Sequence, residues 1–386
     1  MSNNSIRQAQ DFLRQPASGK PSPKAVIPVP SPRKVKWTIH PFALLPGGHA
    51  AVWDSLNAKS GNLPFLETSF LLPLVQELAA QAPRLALCHD GRGVLLAAAL
   101  LQQAGFGQWE TFQPSQLPVG AWLVAPGEDG LQLARGLLQS LPALRLGLSQ
   151  QDPRLHERPA GNALLGLVDY IDTAWIDVSG DFDRYWEARG KNLRSNMRKQ
   201  RSKLEADGIK LQFDRIKSPE LLDEAMAEYG RLETASWKAG TGTALHPDNA
   251  QGRFYTAMMR NFFAAGRGEV WRLSFDGKAV AMDLCISSED TLVILKTAYD
   301  SSLHNISPAF LLKQEAFRQL FNEGQWRRIE FYGRVMDWHT KWTDQSRRLY
   351  HANFDRWGWV GQLQKIVAKF NRTAVASPAE KIIGPA

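Results

Sequence analysis

Side chains that can take up or release a proton are concentrated in the segment IEFYGRVMDWHTKW, residues 329–342. Glu330 and Tyr332 stand two positions apart in a predicted strand, so both point to the same face of it. Glu330 could act as a general base if burial raises its pKa, and Tyr332 could donate a proton. His339 titrates near neutral pH and is suited to act as a base. We therefore treat these three as the candidate catalytic residues.

Each of these residues also has an ordinary structural interpretation. Glu330 could form an ion pair with a neighbouring arginine or lysine, and His339 could be a packing or surface histidine. Asp337 and Lys341 follow in a predicted loop, where Lys341 could hold a phosphate or an acidic acceptor. Both interpretations are open at the level of sequence.

A strand, a polar loop and a helix follow one another in TLVILKTAYDSSLHNISPAFLLKQEAFRQL, residues 291–320. Ser307 predicts the N-cap of the helix, and Pro308 fits its first position. The next backbone N–H groups, at Ala309 and Phe310, have no partner within the helix. Because a helix N-terminus carries about half a positive charge, it can bind a phosphate. The alternative is a well-capped helix that binds only water.

The segment KNLRSNMRKQRSKLEADG predicts a basic helix that spans about residues 181–206 and ends before Gly208. One apolar stripe is formed by Trp186, Leu193, Met197 and Leu204. The remaining surface carries Lys191, Arg194, Arg198, Lys199, Arg201 and Lys203. This surface could be a solvated face, or it could bind CoA phosphates, a tRNA acceptor stem, or an acidic polysaccharide or lipid phosphate.

The composition indicates a globular protein of about two domains, with 386 residues and 44% hydrophobic content. The net charge of +8 suggests affinity for anions such as nucleic acid, acidic lipid or phosphate-bearing metabolites. Cys88 and Cys285 stand alone in short apolar runs, so they predict buried, reduced thiols rather than a disulfide framework or a zinc site. No metal site is expected, and no apolar run approaches the roughly 18 residues that a membrane span needs.

The order of predicted elements suggests two successive α+β units. Residues 1–35 contain six prolines among basic and small residues and predict a disordered basic arm. The first unit is expected over residues 36–180 and the second over 181–372, with a flexible tail at 373–386. The similar element order raises the hypothesis of an internal structural duplication.

The segments YWEARGKNLRSNMRKQRSKLEADG, LKTAYDSSLHNISPAFLL, IEFYG and TKWTD resemble the CelD-type acetyltransferase family of the GNAT superfamily. That family is associated with bacterial cellulose and exopolysaccharide loci and is related to Fem-type aminoacyl transferases. The resemblance covers about residues 64–354. Matching positions are filled by Lys296, Tyr299, Asp300, Ser307, Pro308, Gly324, Phe331, Gly333 and Lys341. Ala309 stands where the family has glycine, and Glu330 where it has aspartate.

This resemblance implies two tandem GNAT-like domains, each a mixed, mostly antiparallel sheet flanked by helices, with acyl-CoA bound by the second. The implied cofactor-binding residues are Lys296, Ile306, Ser307, Ala309 and Phe310. The implied acceptor-binding residues are Arg194, Arg198, Asp337 and Lys341. In this setting Tyr332 would protonate the leaving thiolate. Transfer would be direct, because no Gly-x-Ser-x-Gly motif or evident nucleophile–histidine pair is present.

The expected function is therefore acyl-CoA-dependent transfer, of acetyl or a similar group, to a sugar, an amine or a polysaccharide precursor in exopolysaccharide or envelope synthesis. One alternative is a Fem-like transferase that uses aminoacyl-tRNA, bound through residues 191–203. Another is a non-catalytic scaffold of a polysaccharide synthase or a polyanion-binding protein. A cytoplasmic location is expected, and peripheral contact with the inner membrane face is an open alternative.

Overall fold

The structure is a computed structural model, and it describes residues 35–42, 48–234, 245–303 and 305–362. The predicted basic arm, except for Val35 at the start of the first strand, and the predicted C-terminal tail lie outside the described residues.

The first half of the chain alternates strands and helices. Its elements are β1 (Val35–Pro41), α1 (His49–Lys59), α2 (Thr68–Leu78), β2 (Arg84–Asp90), β3 (Leu95–Gly105), β4 (Gln108–Thr111), β5 (Trp122–Val124), α3 (Gly130–Ser140), β6 (Arg145–Gln151) and β7 (Leu165–Asp177). The predicted turn at residues 90–93 joins β2 to β3, where the Asp90 carboxylate accepts the backbone N–H groups of Arg92 and Val94.

The second half begins with two helices in place of the one predicted over residues 181–206. Its elements are α4 (Phe182–Glu187), α5 (Lys191–Ala206), β8 (Leu211–Ile216), α6 (Leu222–Thr234), α7 (Ala250–Ala264), β9 (Gly268–Phe275), β10 (Lys278–Ser288), β11 (Thr291–Tyr299), α8 (Pro308–Glu323), β12 (Arg328–Glu330) and β13 (Ser346–Asp355). The single-helix prediction is wrong because Gly190 takes a non-helical conformation and starts α5. Gly208 follows α5 with a positive φ of 69°, as predicted.

The two halves repeat one order of elements. With β5 of the first half and α4 and α5 of the second set aside, each half runs strand, two helices, three strands, helix and two strands. The strands form one sheet in the order β1-β2-β3-β4-β6-β13-β7-β12-β11-β10-β9-β8. The last strand of each half is exchanged: β13 lies beside β6 of the first half, and β7 lies beside β12 of the second. This architecture confirms the predicted fold class of tandem GNAT-like units.

Helices cover both faces of the sheet. On one face, α1, α2, α6 and α7 share a hydrophobic core that spans both halves, where Phe70 and Phe254 meet edge to face at 5.3 Å. On the other face, α4, α5 and α8 pack on the second half, and α3 packs on the first. The shared core fixes the two halves to each other, so residues from both can contribute to one site.

Candidate active site

A gap opens in the sheet of the second half between β11 and β12. These strands pair in parallel only over residues 291–293 and 328–330. β12 then ends at Glu330, whereas β11 continues to Tyr299. Beyond Val293, the edge of β11 that faced β12 therefore has no strand partner among the described residues. A free strand edge presents backbone N–H and C=O groups to any extended ligand.

A β-bulge interrupts β11 just past the start of this gap. Leu284 of β10 lies opposite Lys296, but the next residue, Cys285, lies opposite Ile294. Leu295 is therefore the extra residue of the bulge. A bulge leaves one residue out of the regular ladder and re-aims its side chain. Polar backbone groups are thus available where the gap widens.

The N-terminus of α8 follows β11, as the sequence predicts, but most of its amides are occupied. Ile306 and Phe310 donate their backbone N–H groups to carbonyls three residues earlier, at 3.1 and 3.0 Å. The N–H of Ser307 donates to Oε1 of Gln200 at 3.0 Å. In the described part of the chain, the N–H of Ala309 has no hydrogen-bond partner. Of the four predicted cofactor-binding amides, one is therefore open in this arrangement.

The basic helix α5 lies directly against α8. Leu193, Met197 and Leu204 of the predicted apolar stripe are buried, whereas the fourth predicted member, Trp186, lies in α4 and is half-buried. The Arg201 guanidinium donates to Oε1 of Gln314 at 2.9 Å and pairs with Glu315. The exposed positive charge that remains on α5 is carried by Lys191, Arg198, Lys199 and Lys203. Of these basic side chains, Arg201 therefore contacts α8, whereas the other four face solvent.

A buried ionic network surrounds the end of β12. Glu330 is fully buried, and its carboxylate accepts Nη1 of Arg154 at 2.5 Å and Nη1 of Arg347 at 3.0 Å. Arg347 also donates to Asp152, with Nη2 at 2.8 Å from Oδ2. The Tyr332 hydroxyl donates to the same Asp152 oxygen at 2.9 Å. Two predicted residues thus share one network, whose other members the sequence analysis missed.

Burial and charge oppose each other within this network. Burial raises the pKa of Glu330, although the charges of Arg347 and Arg154 favour its ionised form. Burial also raises the pKa of Asp152, but hydrogen bonds and charge from Arg347 outweigh this effect. The pKa of Asp152 is therefore below its ordinary value. Burial raises the pKa of Tyr332 well above its ordinary value, so this side chain is a neutral proton donor.

Tyr332 is held in an uncommon backbone conformation. Its φ is 47°, which is the left-handed region that aromatic residues rarely occupy. The ring of Phe65 meets the Tyr332 ring edge to face at 4.6 Å, and the Arg347 guanidinium lies 4.9 Å from the ring centroid. Such a conformation persists only where the surroundings determine it strongly, which is typical of functional sites.

His339 is buried and differs from a free histidine base. Its Nδ1 accepts the backbone N–H of Met336 at 2.9 Å, and its ring stacks on Trp338 at 3.5 Å. Burial lowers the pKa of His339 to about 4, so the ring is neutral at pH 7. Because Nδ1 accepts, the proton of the neutral ring is assigned to Nε2. This geometry suits donation of a hydrogen bond from Nε2 rather than uptake of a proton.

Two lysine–carboxylate pairs lie on opposite faces of β11. Lys296 pairs with the fully buried Glu233 of α6 at 2.6 Å, on the face of the shared core. On the other face, Lys313 of α8 pairs with Asp283 at 3.0 Å and donates to Thr297 Oγ1 at 3.2 Å. Lys296 and Asp283, the charged residues inside apolar strands, therefore each form an ion pair with a helix that packs on the sheet beside the gap.

Hydrogen bonds link one of the predicted acceptor-binding residues on α5, Arg194, to the loop that holds Asp337 and Lys341. Asp337 and Lys341 are exposed in the loop after β12. Arg189 donates from Nη1 to the carbonyl of Trp342, at the end of that loop, at 2.8 Å. Arg194 in turn donates from Nε to the carbonyl of Arg189 at 3.1 Å. This chain of contacts links Arg194 to the loop, whereas Arg198 points to solvent further along α5.

A cavity of about 750 Å³ lies between α6 and α7, and its lining includes Met226, Gly230, Thr234, Leu245, Gly252 and Thr256.

Both cysteines are buried and unbonded, as predicted. Over the described residues we find no group of three or more histidine, cysteine or acidic side chains arranged to hold a metal ion. Nor does this part contain a helix with the length and apolarity of a membrane span.

Comparison with known families identifies the second half. The family model described as Acetyltransferase (GNAT) domain matches residues 191–340, from the start of α5 to the loop of His339. Residues 191–340 form a GNAT acetyltransferase domain. The protein is therefore an enzyme of the GNAT acyltransferase type. A search of curated proteins found no match to the chain.

Solved structures extend the likeness over both halves. The crystal structure of FemX matches with a TM-score of 0.53 and 9% identity, over 81% of this chain and 98% of FemX. A conserved protein of unknown function from Bacteroides thetaiotaomicron VPI-5482 matches with a TM-score of 0.52 and 12% identity, over 80% of this chain and 97% of its own. At these identities the likeness shows the fold alone. The CelD-type assignment stays a prediction.

Proposed function

We propose that this GNAT domain uses acyl-CoA to transfer an acetyl or similar group, by direct attack, to a sugar or amine acceptor in exopolysaccharide or envelope synthesis. The observation that carries the proposal is the gap between β11 and β12, with a bulge at its mouth and the start of α8 beside it. Acyl-CoA needs both a free strand edge for its extended arm and a helix start for its diphosphate.

The donor would lie along the free edge of β11. The amide groups of a pantetheine arm can pair with that edge as an added strand does. The diphosphate would reach the start of α8, where the Ala309 amide is open. Rotation of the Gln200 side chain would release the Ser307 amide as a second donor. The partial positive charge of the helix end favours the diphosphate there.

The chemistry would take place near the bulge. The acceptor nitrogen or oxygen attacks the thioester carbonyl, the C–S bond breaks, and the acyl group moves to the acceptor. Backbone N–H groups at Leu295 and Lys296 would stabilise the oxyanion that forms. Glu330 would take the acceptor proton, which its raised pKa favours, and Tyr332 would protonate the thiolate. Arg347 would stabilise the resulting phenolate.

The acceptor would be bound from the loop after β12 and from α5. We assign this role to Arg194, Arg198, Asp337 and Lys341. The three basic residues among them suit an acceptor that carries a phosphate or carboxylate, such as an activated sugar.

Calorimetric titration with acetyl-CoA tests the donor assignment, and thiol release tests turnover. We expect binding at micromolar to millimolar concentration. We also expect slow thiol release that small amines or amino sugars accelerate. Absence of binding at millimolar acetyl-CoA would contradict the proposal.

A second candidate function is transfer from aminoacyl-tRNA. The exposed cations of α5 favour it, because Lys191, Arg198, Lys199 and Lys203 form a face that could contact phosphates. This candidate predicts tRNA binding that weakens steeply with salt and is lost when Arg194 and Arg198 are changed to glutamate. A gel shift that these changes leave unaltered would exclude it.

A scaffold role without catalysis is the remaining alternative. Glu330→Gln, Tyr332→Phe and His339→Gln should abolish or strongly reduce transfer if the protein acts as an enzyme in the cell. Full complementation of a deletion strain by all three variants would favour the scaffold.

A further inference from the structure

A hairpin projects from one end of the sheet and carries an exposed aromatic ring. The last residue of β3 that pairs with β2 is Leu101, opposite Arg84, so residues 102–105 extend beyond β2. These residues pair with β4, and the connecting turn is Gly105-Phe106-Gly107. Phe106 is 95% exposed. No packing role accounts for a phenylalanine at this position.

Two tryptophans project from the same end of the sheet, just after β13. Trp357 and Trp359 are 48% and 51% exposed, and their rings stack at 5.7 Å with an angle of 10° between planes. Leu144 connects them to the hairpin. Its N–H donates to the carbonyl of Gly107 at 2.7 Å, and its carbonyl accepts the N–H of Arg356 at 2.8 Å. We call Phe106, Trp357 and Trp359 the aromatic patch.

The charge around the aromatic patch is positive. Arg84 is exposed, and Arg356 donates hydrogen bonds to backbone carbonyls while its guanidinium lies 5.9 Å from the centre of the Trp357 ring. Arg145 is neutralised by the buried Asp355, at 2.6 Å. Glu110 of β4 accepts a hydrogen bond from Gln102. In the sequence, the 24 residues after residue 362 hold the basic side chains Lys365, Lys369, Arg372 and Lys381 and one acidic side chain, Glu380.

We propose that the aromatic patch docks the protein on an anionic lipid surface. Tryptophan rings are stable at the membrane interface because they combine an apolar body with a polar N–H group. The rings stand on two separate protrusions, which suits shallow insertion among lipid headgroups better than the flat contact of a folded partner. Nearby cations add attraction to anionic headgroups. Such docking would bring the enzyme to acceptors at a membrane face.

Co-sedimentation with lipid vesicles tests this proposal on the full chain. We expect binding to vesicles that contain phosphatidylglycerol, and much weaker binding to pure phosphatidylcholine. Phe106→Ser and the double change Trp357→Ser/Trp359→Ser should each weaken binding by about tenfold or more. The control is Val94→Ser, because Val94 is 53% exposed in the turn at the opposite end of β3. It should bind as the wild type does.

Circular dichroism and acyl-CoA binding should be unchanged in all variants, which separates docking from folding and from the proposed donor site. The proposal is overturned if the wild type does not bind anionic vesicles. It is also overturned if the patch variants bind as well as Val94→Ser does, or if neutral and anionic vesicles bind equally.

Discussion

Arg347 is the residue on which the buried network depends. It faces Asp152 and Glu330, which belong to different halves of the chain, and all three are buried. A buried carboxylate is tolerated only when a counter-charge or hydrogen bonds compensate it. Loss of this guanidinium would leave Asp152 without an ion-pair partner of comparable geometry, and Glu330 with Arg154 at 2.5 Å and Arg328 at 3.6 Å as the remaining counter-charges.

We predict that Arg347→Met lowers the free energy of unfolding by about 3–5 kcal/mol, as breaking a buried ion pair does. Urea denaturation measures this. Arg348→Met is the matched control, because Arg348 is the next residue and pairs with Asp169 and Asp172 on the surface. The control should change stability little. Equal losses in the two variants would show that the network does not stabilise the fold.

His339 should give stability a specific pH dependence. Its pKa is about 4 in the folded protein, against 6.5 for an unperturbed histidine. Its contribution is therefore complete above pH 6.5 and is lost as the pH falls from 6.5 towards 4, because the unfolded chain binds the proton more readily. The slope from one such group reaches at most about 1.4 kcal/mol per pH unit.

His339→Gln removes this dependence while keeping an acceptor for the Met336 N–H. Relative to the wild type, the variant should lose less stability between pH 6.5 and 4, as measured by urea denaturation across that range. Parallel pH profiles would mean that His339 is not held neutral by burial. His156, whose pKa burial also lowers to about 4, is unchanged in both proteins and cancels in the comparison.

The residues of the site were partly predictable. Alternation along the strand placed Glu330 and Tyr332 on one face, and the structure joins them in one network. Their partners were not predictable from local pattern, because Tyr332 and Asp152 are separated by 180 residues and Arg347 and Asp152 by 195. Only the exchange of β7 and β13 brings these segments together.

At the scale of elements, α5 controls access to the start of α8 through Gln200. The carboxamide accepts the Ser307 N–H at 3.0 Å and donates to the Ser307 hydroxyl at 3.4 Å. The sequence identified the helix start from Ser307 and Pro308, and the helix begins there. It did not reveal the side chain that covers this start, because Gln200 belongs to a helix more than 100 residues earlier.

We predict that Gln200→Glu weakens CoA binding by about tenfold, since a carboxylate at the helix start competes with the diphosphate. Thermal stability should not fall, because an acidic group near a helix N-terminus is favourable. The control is Gln132→Glu at the start of α3, the equivalent helix of the first half. Calorimetry that finds the same CoA affinity in both variants would remove α8 from the donor site.

At the scale of the whole molecule, the first half lacks the features on which the proposed donor site depends. In the first half, the Asp129 carboxylate caps α3 by accepting the N–H groups of Leu131 and Gln132. The region between β4 and β6 is filled, because Gly120 donates its N–H to the Ser149 carbonyl and Ser149 donates to Thr111 Oγ1. An anion at the start of α3 would therefore meet the Asp129 carboxylate.

We therefore predict a stoichiometry of one CoA per chain. Calorimetry with CoA gives this number directly, and two equivalent sites would show that the first half also binds the donor. The duplication itself was predictable from the order of elements. The strand exchange was not, because it depends on long-range pairing of β6 with β13 and of β7 with β12.

Hydrogen–deuterium exchange with and without CoA shows whether the donor occupies the free edge of β11 and the start of α8, because it reports on the backbone amides of these segments. CoA should slow exchange in β11 beyond Val293 and at the start of α8, while residues 126–132 at the start of α3 stay unchanged. Protection confined to the cavity between α6 and α7, with β11 and α8 unaffected, would contradict this position of the donor.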